Sequence, residues 1–315
     1  MTIFQKKTGK YPELGEVNWL RSLEAAKGQA ALNGKPILLQ FQEVPGCSTC
    51  VNYGRDVLSR PLMVELIEEC FVPVAIFNNV DGADAEVLAQ FGEAAWNNPV
   101  SYFLSSTGNV IGSKLQNRYN ALSMLDKIIE TLRSLGRDVP GYADLLRADL
   151  LVEQGLSRKV VFETPCFWSG ETTLAQHPAV LTTLAGWVDG EEVVEAEFDP
   201  EHDEASTLIA YAEREGFRLT NQRGFRVDED PQYYLSKTRF ALLPLSPAQR
   251  TRINVDIPYK TSPERNLSPS QKAWMAEPRL EGASSRAAYK AAFEGEWRQL
   301  ATRLADAGSP VPADR

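Results

Sequence analysis

The chain has 315 residues, a net charge of −9 and a pI near 5.0, which argues against nucleic acid or an anionic membrane as its main partner, because both are polyanions. With 43% hydrophobic and 24% charged residues, it has a globular composition and the length for two domains, each with a core of its own. No apolar run reaches the span of a membrane helix. The start, Met1-Thr2-Ile3-Phe4-Gln5-Lys6-Lys7, lacks the apolar centre and small-residue cleavage site of a secretory signal, so a soluble, cytoplasmic protein with free or cycling thiols is expected.

Taken in chain order, the first part alternates helix and strand. Residues Glu16 to Leu32 predict a helix, Pro36 to Gln42 a short apolar strand, and Tyr53 to Cys70 a helix with Val57, Leu58, Leu62, Met63, Leu66 and Ile67 on its apolar face, kinked or restarted at Pro61. Phe71 to Phe77 predicts a second strand, Asp84 to Phe91 a short helix, and the stretch around Pro99 a hairpin of two strands. An amphipathic helix from Tyr119 to Leu135 closes an α/β sheet. Cys70, at the end of a helix and before a buried-looking strand, is read as a core residue.

Half of the four cysteines lie in Val44-Pro45-Gly46-Cys47-Ser48-Thr49-Cys50. A strand that breaks at Pro-Gly and enters a helix through Cys-x-x-Cys puts the first sulfur at the helix N-terminus, where unpaired N–H groups and the dipole favour a thiolate. Cys47 is therefore read as a nucleophile, with Cys50, one turn further in, as its resolver. A zinc site would need four ligands; the remaining candidates, Cys70, Cys166, His177 and His202, form no second Cys-x-x-Cys or His-x-x-x-His pair, so no metal is expected. A permanently closed disulfide does not suit a chain without a secretory signal.

These residues, with Trp19, an Ala-rich helix and Gly34-Lys35-Pro36 ahead of them, resemble a thioredoxin-fold domain over residues 15–135. Asn97-Asn98-Pro99-Val100-Ser101-Tyr102-Phe103-Leu104 and the turn Ser105-Ser106-Thr107-Gly108-Asn109 are similar to that family's cis-proline strand and following hairpin. The resemblance implies that Pro99 is cis, faces the cysteine pair and contributes backbone groups that hold an extended substrate. Gly46 stands where thioredoxins usually carry Trp, and Ser48-Thr49 replaces Gly-Pro.

Gly136-Arg137-Asp138-Val139-Pro140-Gly141 marks a break, and Tyr142 to Gly155 a helical connector. Beyond it come a strand at Lys159–Glu163, a helix from Thr164 to Gln176 with Thr164 as N-cap, Pro165 as its first residue and Cys166 in its first turn, a strand pair at Ala179–Asp189 and Glu192–Phe198, a helix from Glu204 to Gly216 and a strand at Phe217–Leu219. This order predicts a two-layer α+β domain. From Pro258 the composition turns to Ser, Pro, Lys, Arg and Glu, with a helical tract at Ser285 to Ala307, a disordered tail at Gly308 to Arg315, and no internal repeat. The expected boundaries are 1–141 for the thioredoxin-like domain, 142–157 for the connector, 158–257 for the second domain and 258–315 for an extension.

Cys166-Phe167-Trp168 with Glu171 resembles the Gly-Cys-Phe-Trp-Gly-x-Glu signature of type A peptide methionine sulfoxide reductases. Gly186-Trp187, Glu192-Val193-Val194-Glu195-Ala196-Glu197-Phe198-Asp199-Pro200 and Pro244-Leu245-Ser246-Pro247-Ala248-Gln249 follow that family's order. The resemblance implies that Cys166 attacks sulfoxide sulfur, that Phe167 and Trp168 wall a methyl pocket, and that Glu192 protonates the sulfoxide oxygen. The family's long loop is missing between Gly190 and Glu192, and Pro165 replaces the glycine before the nucleophile.

A thiolate displaces sulfoxide oxygen only when that oxygen is protonated, which calls for a carboxylic acid beside the cysteine. The resulting sulfenic acid needs a thiol, and the second domain has none besides Cys166. The reading is therefore a sulfoxide reductase, its substrate a free or peptidyl sulfoxide, with electrons passed from Cys47 and Cys50 to Cys166, an external thiol reductant and no cofactor. The alternatives are a disulfide exchanger whose rear domain binds the client, and a non-catalytic redox sensor.

Overall fold

The computed structural model describes residues 11–220 and 224–306. The start Met1–Lys7, read above against a signal peptide, and the tail Gly308–Arg315, expected to be disordered, lie outside them. The chain divides into two compact units, Met1–Val139 and Pro140–Arg315. No helix among the described residues is long and apolar enough to cross a membrane.

The first unit is built on β1 (Ile37–Gln42), which runs parallel to β2 (Val72–Phe77) and antiparallel to β3 (Val100–Leu104), in the order β2-β1-β3. Every residue of these strands is buried, as befits strands covered on both faces. Two glutamines interrupt the apolar run of β1, and their polar ends are satisfied inside. Gln40 Oε1 accepts from Ser101 Oγ (2.6 Å), while Gln42 Nε2 donates to Glu13 O (2.8 Å) and Cys50 O (3.1 Å). Gln42 thereby ties the start of the unit to the helix that follows the cysteines.

The first helix, α1 (Leu23–Asn33), starts later than its periodicity predicts. Leu20 forms a bridge beside Val74 of β2, donating to Pro73 O and accepting from Ala75 N (both 2.9 Å), so the chain stays extended until Ser22 caps α1 by accepting from Ala25 N. The expected helix from Tyr53 to Cys70 is two helices, α2 (Ser48–Asp56) and α3 (Pro61–Cys70), with Pro61 at the first position of the second. The crossover from β1 to β2 passes through both. After α4 (Ala83–Gln90) and β3, the expected second hairpin strand is reduced to isolated bridges, Leu104 with Val110 and Ser101 with Leu115, and Gly112 (φ 60°), between the two, bends the return arm out of extended conformation. Helix α5 (Ala121–Ser134) buries Met124, Leu125, Ile128, Ile129 and Leu132.

The second unit starts at α6 (Gly141–Glu153) and holds an antiparallel sheet in the order β7-β4-β6-β5-β8: β4 (Arg158–Glu163), β5 (Val180–Val188), β6 (Glu191–Phe198), β7 (Arg218–Thr220) and β8 (Arg226–Val227). Alternation along β6 sends Val194, Ala196 and Phe198 into a core with Phe162, with Phe167 and Leu174 of α7 (Phe167–Leu174), with Leu208 and Ala212 of α8 (Ala205–Arg214), and with Val255 further along the chain. The other face carries Glu195 and Glu197, which pair with Lys159. A single turn, α9 (Tyr233–Ser236), precedes α10 (Pro247–Asp256), the helix that carries Val255.

Both flanking segments fold as part of this unit. The expected connector is α6, whose Leu145 and Ala148 pack on Ala248. Asp149 Oδ1 accepts from Ala248 N (2.9 Å). The expected extension from Pro258 is also folded, through α11 (Pro269–Ala276), α12 (Leu280–Ala283) and α13 (Phe293–Asp306), with Trp274 packed on Trp297 at 4.6 Å between ring centres. The helical tract expected from Ser285 is broken by the turn Ala288–Lys290 ahead of α13.

A repeat unseen in the sequence explains this closure. Ser246-Pro247-Ala248-Gln249 and Ser268-Pro269-Ser270-Gln271 start α10 and α11 alike, each glutamine Oε1 accepting from the N–H of its own serine (3.1 and 2.9 Å). The two glutamines then bond to each other reciprocally, Gln249 Nε2 to Gln271 Oε1 at 2.7 Å and Gln271 Nε2 to Gln249 Oε1 at 2.9 Å. Each amide donates its other proton to a backbone carbonyl, of Asn266 and of Pro244, so two fully buried polar side chains are satisfied.

Candidate functional site

The two units each carry a cysteine at a helix N-cap. In the first, Cys47 is the N-cap of α2 and is exposed, while Cys50 is fully buried, its sulfur 3.9 Å from that of Cys47. The Cys50 backbone N–H directed at the Cys47 sulfur holds the Cys47 thiol below its usual pKa, against the opposing effect of burial. Burial pushes Cys50 up to about 12. One sulfur is thus exposed and readily ionised, and the other is a protonated thiol behind it.

Local sequence explains the closeness of the turn. A Cβ on Gly46 would lie 2.3 Å from Glu43 O and 2.7 Å from the Cys50 Cβ, so the position usually filled by Trp in thioredoxins admits no side chain here. Gly46 N donates to Glu13 Oε1 (2.7 Å), a carboxylate in the turn Pro12–Leu14. Gly54, on α2, allows that turn to pack against the helix: a Cβ there would fall 2.0 Å from Pro12 O.

The Asn98-Pro99 bond is cis, as is Val44-Pro45. Asn98 Oδ1 accepts from Cys50 Sγ at 2.8 Å, which brings the Pro99 loop to the cysteine pair. That loop is held from below by buried Glu93, which accepts from Asn97 Nδ2 (2.7 Å), from Tyr102 Oη and from Lys114 Nζ. Asn98, Glu13 and Glu93 were not found from the sequence, since their partners lie 9 to 48 residues away and no local pattern marks them; Asn97 alone, four residues on, is a near neighbour. Cys70, read above as a core residue, is only partly buried, and burial raises its thiol to about 12.

In the second unit, Cys166 is itself the N-cap of α7, two residues beyond the cap expected at Thr164. The shift has a cause across the sheet. Thr164 N donates to Glu192 O (3.0 Å) and so continues β4 pairing, while Glu192 Oε2 accepts from Phe167 N (2.8 Å) and serves as the acceptor a capping side chain would supply. Glu192 opposes Trp187 on β5. Phe167 is buried against Trp168 (5.7 Å) and Trp187 (5.1 Å), and Trp168 stacks on Tyr233 at 4.0 Å. Cys166, Phe167, Trp168 and Glu192 therefore come together at one helix start, with Trp187 and Tyr233 added by the fold.

One turn further along α7, Glu171 is fully buried. Its carboxylate accepts from Ala185 N (3.0 Å), Gln232 N (2.8 Å) and Gln232 Nε2 (3.2 Å). Burial nevertheless outweighs these donors and raises it to about 8.

The sheet order, the N-cap cysteine pair and the cis-proline loop define a thioredoxin-like domain in the first unit. Residues 18–106 match the family model described as thioredoxin-like. No curated protein matches the chain. Among solved structures, one titled DsbH oxidoreductase is 16% identical with a TM-score of 0.33, covering 40% of this chain and 91% of its own. A thioredoxin from Thermus thermophilus is 19% identical with a TM-score of 0.32, covering 36% of this chain and 85% of its own.

Proposed function

We propose that the protein is a thiol–disulfide oxidoreductase in which Cys47 attacks and Cys50 resolves. The observation that carries this reading is an exposed sulfur at a helix N-cap with a buried sulfur 3.9 Å behind it. Cys47 thiolate attacks a client disulfide and expels one client thiolate. Cys50 then loses its proton and attacks Cys47, the second client thiolate leaves, and a Cys47–Cys50 disulfide remains for an external thiol to reduce. The Pro99 loop supports an extended client beside the pair. Reduction of insulin-type disulfides, abolished in Cys47→Ser, tests the reading; a Cys47→Ser variant at wild-type rate ends it.

A finer reading makes a sulfoxide the terminal substrate, and the hydrogen bond from Phe167 N to Glu192 Oε2 favours it, because it draws a carboxyl group to the same helix start as Cys166. Cys166 thiolate attacks sulfoxide sulfur as Glu192 delivers a proton to the oxygen, with Phe167 and Trp168 against the methyl group. The thioether departs and Cys166 is left as sulfenic acid. Cys47 attacks that sulfur, water leaves, and Cys50 resolves the Cys47–Cys166 bond, with tethering supplying about millimolar effective concentration where the linker permits contact.

The test oxidises Cys50→Ser with one equivalent of sulfoxide and maps the linkage by mass spectrometry. A Cys47–Cys166 disulfide is expected. Cys166 remaining as sulfenic acid beside a free Cys47 thiol sinks the relay, and a wild-type protein that reduces insulin but turns over no sulfoxide favours a disulfide exchanger.

A further inference from the structure

The cysteine pair has a third neighbour with donor chemistry. With no side chain on Gly46, the loop from Glu43 folds back onto the first turn of α2. One carboxylate oxygen of Glu43, Cys47 Sγ and Cys50 Sγ then all lie within 4.8 Å of one another. The sulfurs are 3.9 Å apart. A tetrahedral ion with metal–sulfur bonds of about 2.3 Å requires its two sulfurs about 3.8 Å apart, so the pair already has the spacing of two ligands.

The surrounding charge suits a cation. Glu43 sets an acidic group beside a site where a thiolate forms, an arrangement that is repulsive with no ion between them. Glu13, buried beneath the same loop, uses Oε1 to hold Gly46 N, and its Oε2 is buried with no hydrogen-bond partner. Two thiolates select zinc and similar ions over magnesium or calcium, and a carboxylate is an accepted third ligand.

We propose that the reduced Cys47–Cys50 pair together with Glu43 is a binding site for a thiophilic divalent cation such as Zn²⁺ or Cd²⁺, the fourth position being left to solvent. The spacing argument from sequence counted only cysteine and histidine and so did not weigh Glu43. On binding, the thiol protons pass to solvent and both sulfurs become metal-bound. The pair is then unable to attack a disulfide until a chelator removes the ion. This inference needs the dithiol but not the redox reading above.

The experiment uses the full chain, reduced and freed of thiol and chelator without oxygen. Zn²⁺ is titrated in competition with a chromophoric chelator, and Cd²⁺ by its thiolate charge-transfer absorption. One ion per chain is expected, none after Cys47 and Cys50 are oxidised, and unaltered affinity in Cys70→Ser. Glu43→Gln and Glu43→Ala, each checked for folding by thermal unfolding, should bind at least about tenfold more weakly, the lower end of what even indirect contacts to a metal contribute. Wild-type affinity in both Glu43 variants, binding that survives oxidation, or loss of binding in Cys70→Ser overturns the site. A chain that binds no metal yet reduces insulin loses this inference and keeps the redox reading; one that binds metal without reducing any disulfide does the reverse.

Discussion

The Cys50 thiol donates to Asn98 Oδ1 at 2.8 Å, across 48 residues of sequence. This bond exists only while Cys50 carries a proton, so it stabilises the dithiol and is absent from the disulfide. Asn98→Leu should therefore make the pair harder to reduce. A net hydrogen bond of about 0.5–1.5 kcal/mol corresponds to a potential lowered by roughly 10–30 mV for a two-electron couple. Equilibration with glutathione measures it, and an unchanged or raised potential would show that the bond contributes nothing.

The same pair should be chemically unequal. With Cys47 exposed and held below the usual thiol pKa, and Cys50 buried and raised to about 12, brief iodoacetamide treatment of the reduced protein at neutral pH should label Cys47 well ahead of Cys50. Cys70, also raised to about 12, should be spared. Peptide mass spectrometry reads the order, and equal labelling of Cys47 and Cys50 contradicts the assigned roles.

Gly46→Ala tests the tight turn. Its methyl group would meet Glu43 O at 2.3 Å and the Cys50 Cβ at 2.7 Å, so overpacking should cost about 1–3 kcal/mol and slow disulfide reduction. Gly28→Ala, in α1 where a methyl group would meet only open space, should stabilise instead, by up to about 1 kcal/mol. Chemical denaturation distinguishes the two, and equal effects would mean that the Gly46 turn relaxes freely.

Two buried carboxyl groups give the second unit an unusual pH dependence. Burial raises Glu171 to about 8 and Asp149 to about 6. Since each folded pKa lies above its unfolded value, the folded state holds the protons more tightly, and the contribution is fully present below the unfolded values near 4. It is lost as pH rises through about 6 and then about 8, at up to about 1.4 kcal/mol per pH unit for each group. Glu171→Gln should flatten the upper part of this slope in thermal unfolding, and an unchanged slope removes Glu171 as its source.

The legible parts of the chain were those governed by local rules. Cys47 at a helix start, the buried run of β1, the restart at Pro61 and the helix after Asn120 follow from caps, periodicity and proline. The misread parts were decided by distant partners. Leu20 left the helical pattern to bridge Val74, Glu192 moved the start of α7 to Phe167, and a return arm bent at Gly112 did not pair as a strand. Residues 258–306 read as an extension because the apolar residues they bury, among them Leu267, Trp274, Leu280 and Trp297, are spread thinly among polar ones, and because Gln271, Ser268 and Asn266 are buried too, where composition alone predicts surface.

The reciprocal amides of Gln249 and Gln271 also set an order on synthesis. A ribosome makes Cys166 about a hundred residues before Gln271, and until α11 emerges the α10 glutamine has no buried partner for its amide. Because Val255 of α10 shares a core with Phe167, the packing behind Cys166 is finished late, under the control of a segment far downstream. A stalled nascent chain whose emerged portion stops before Ser268 should leave Cys166 open to rapid thiol labelling, whereas one extended past Asp306 should show the slower labelling of the completed fold.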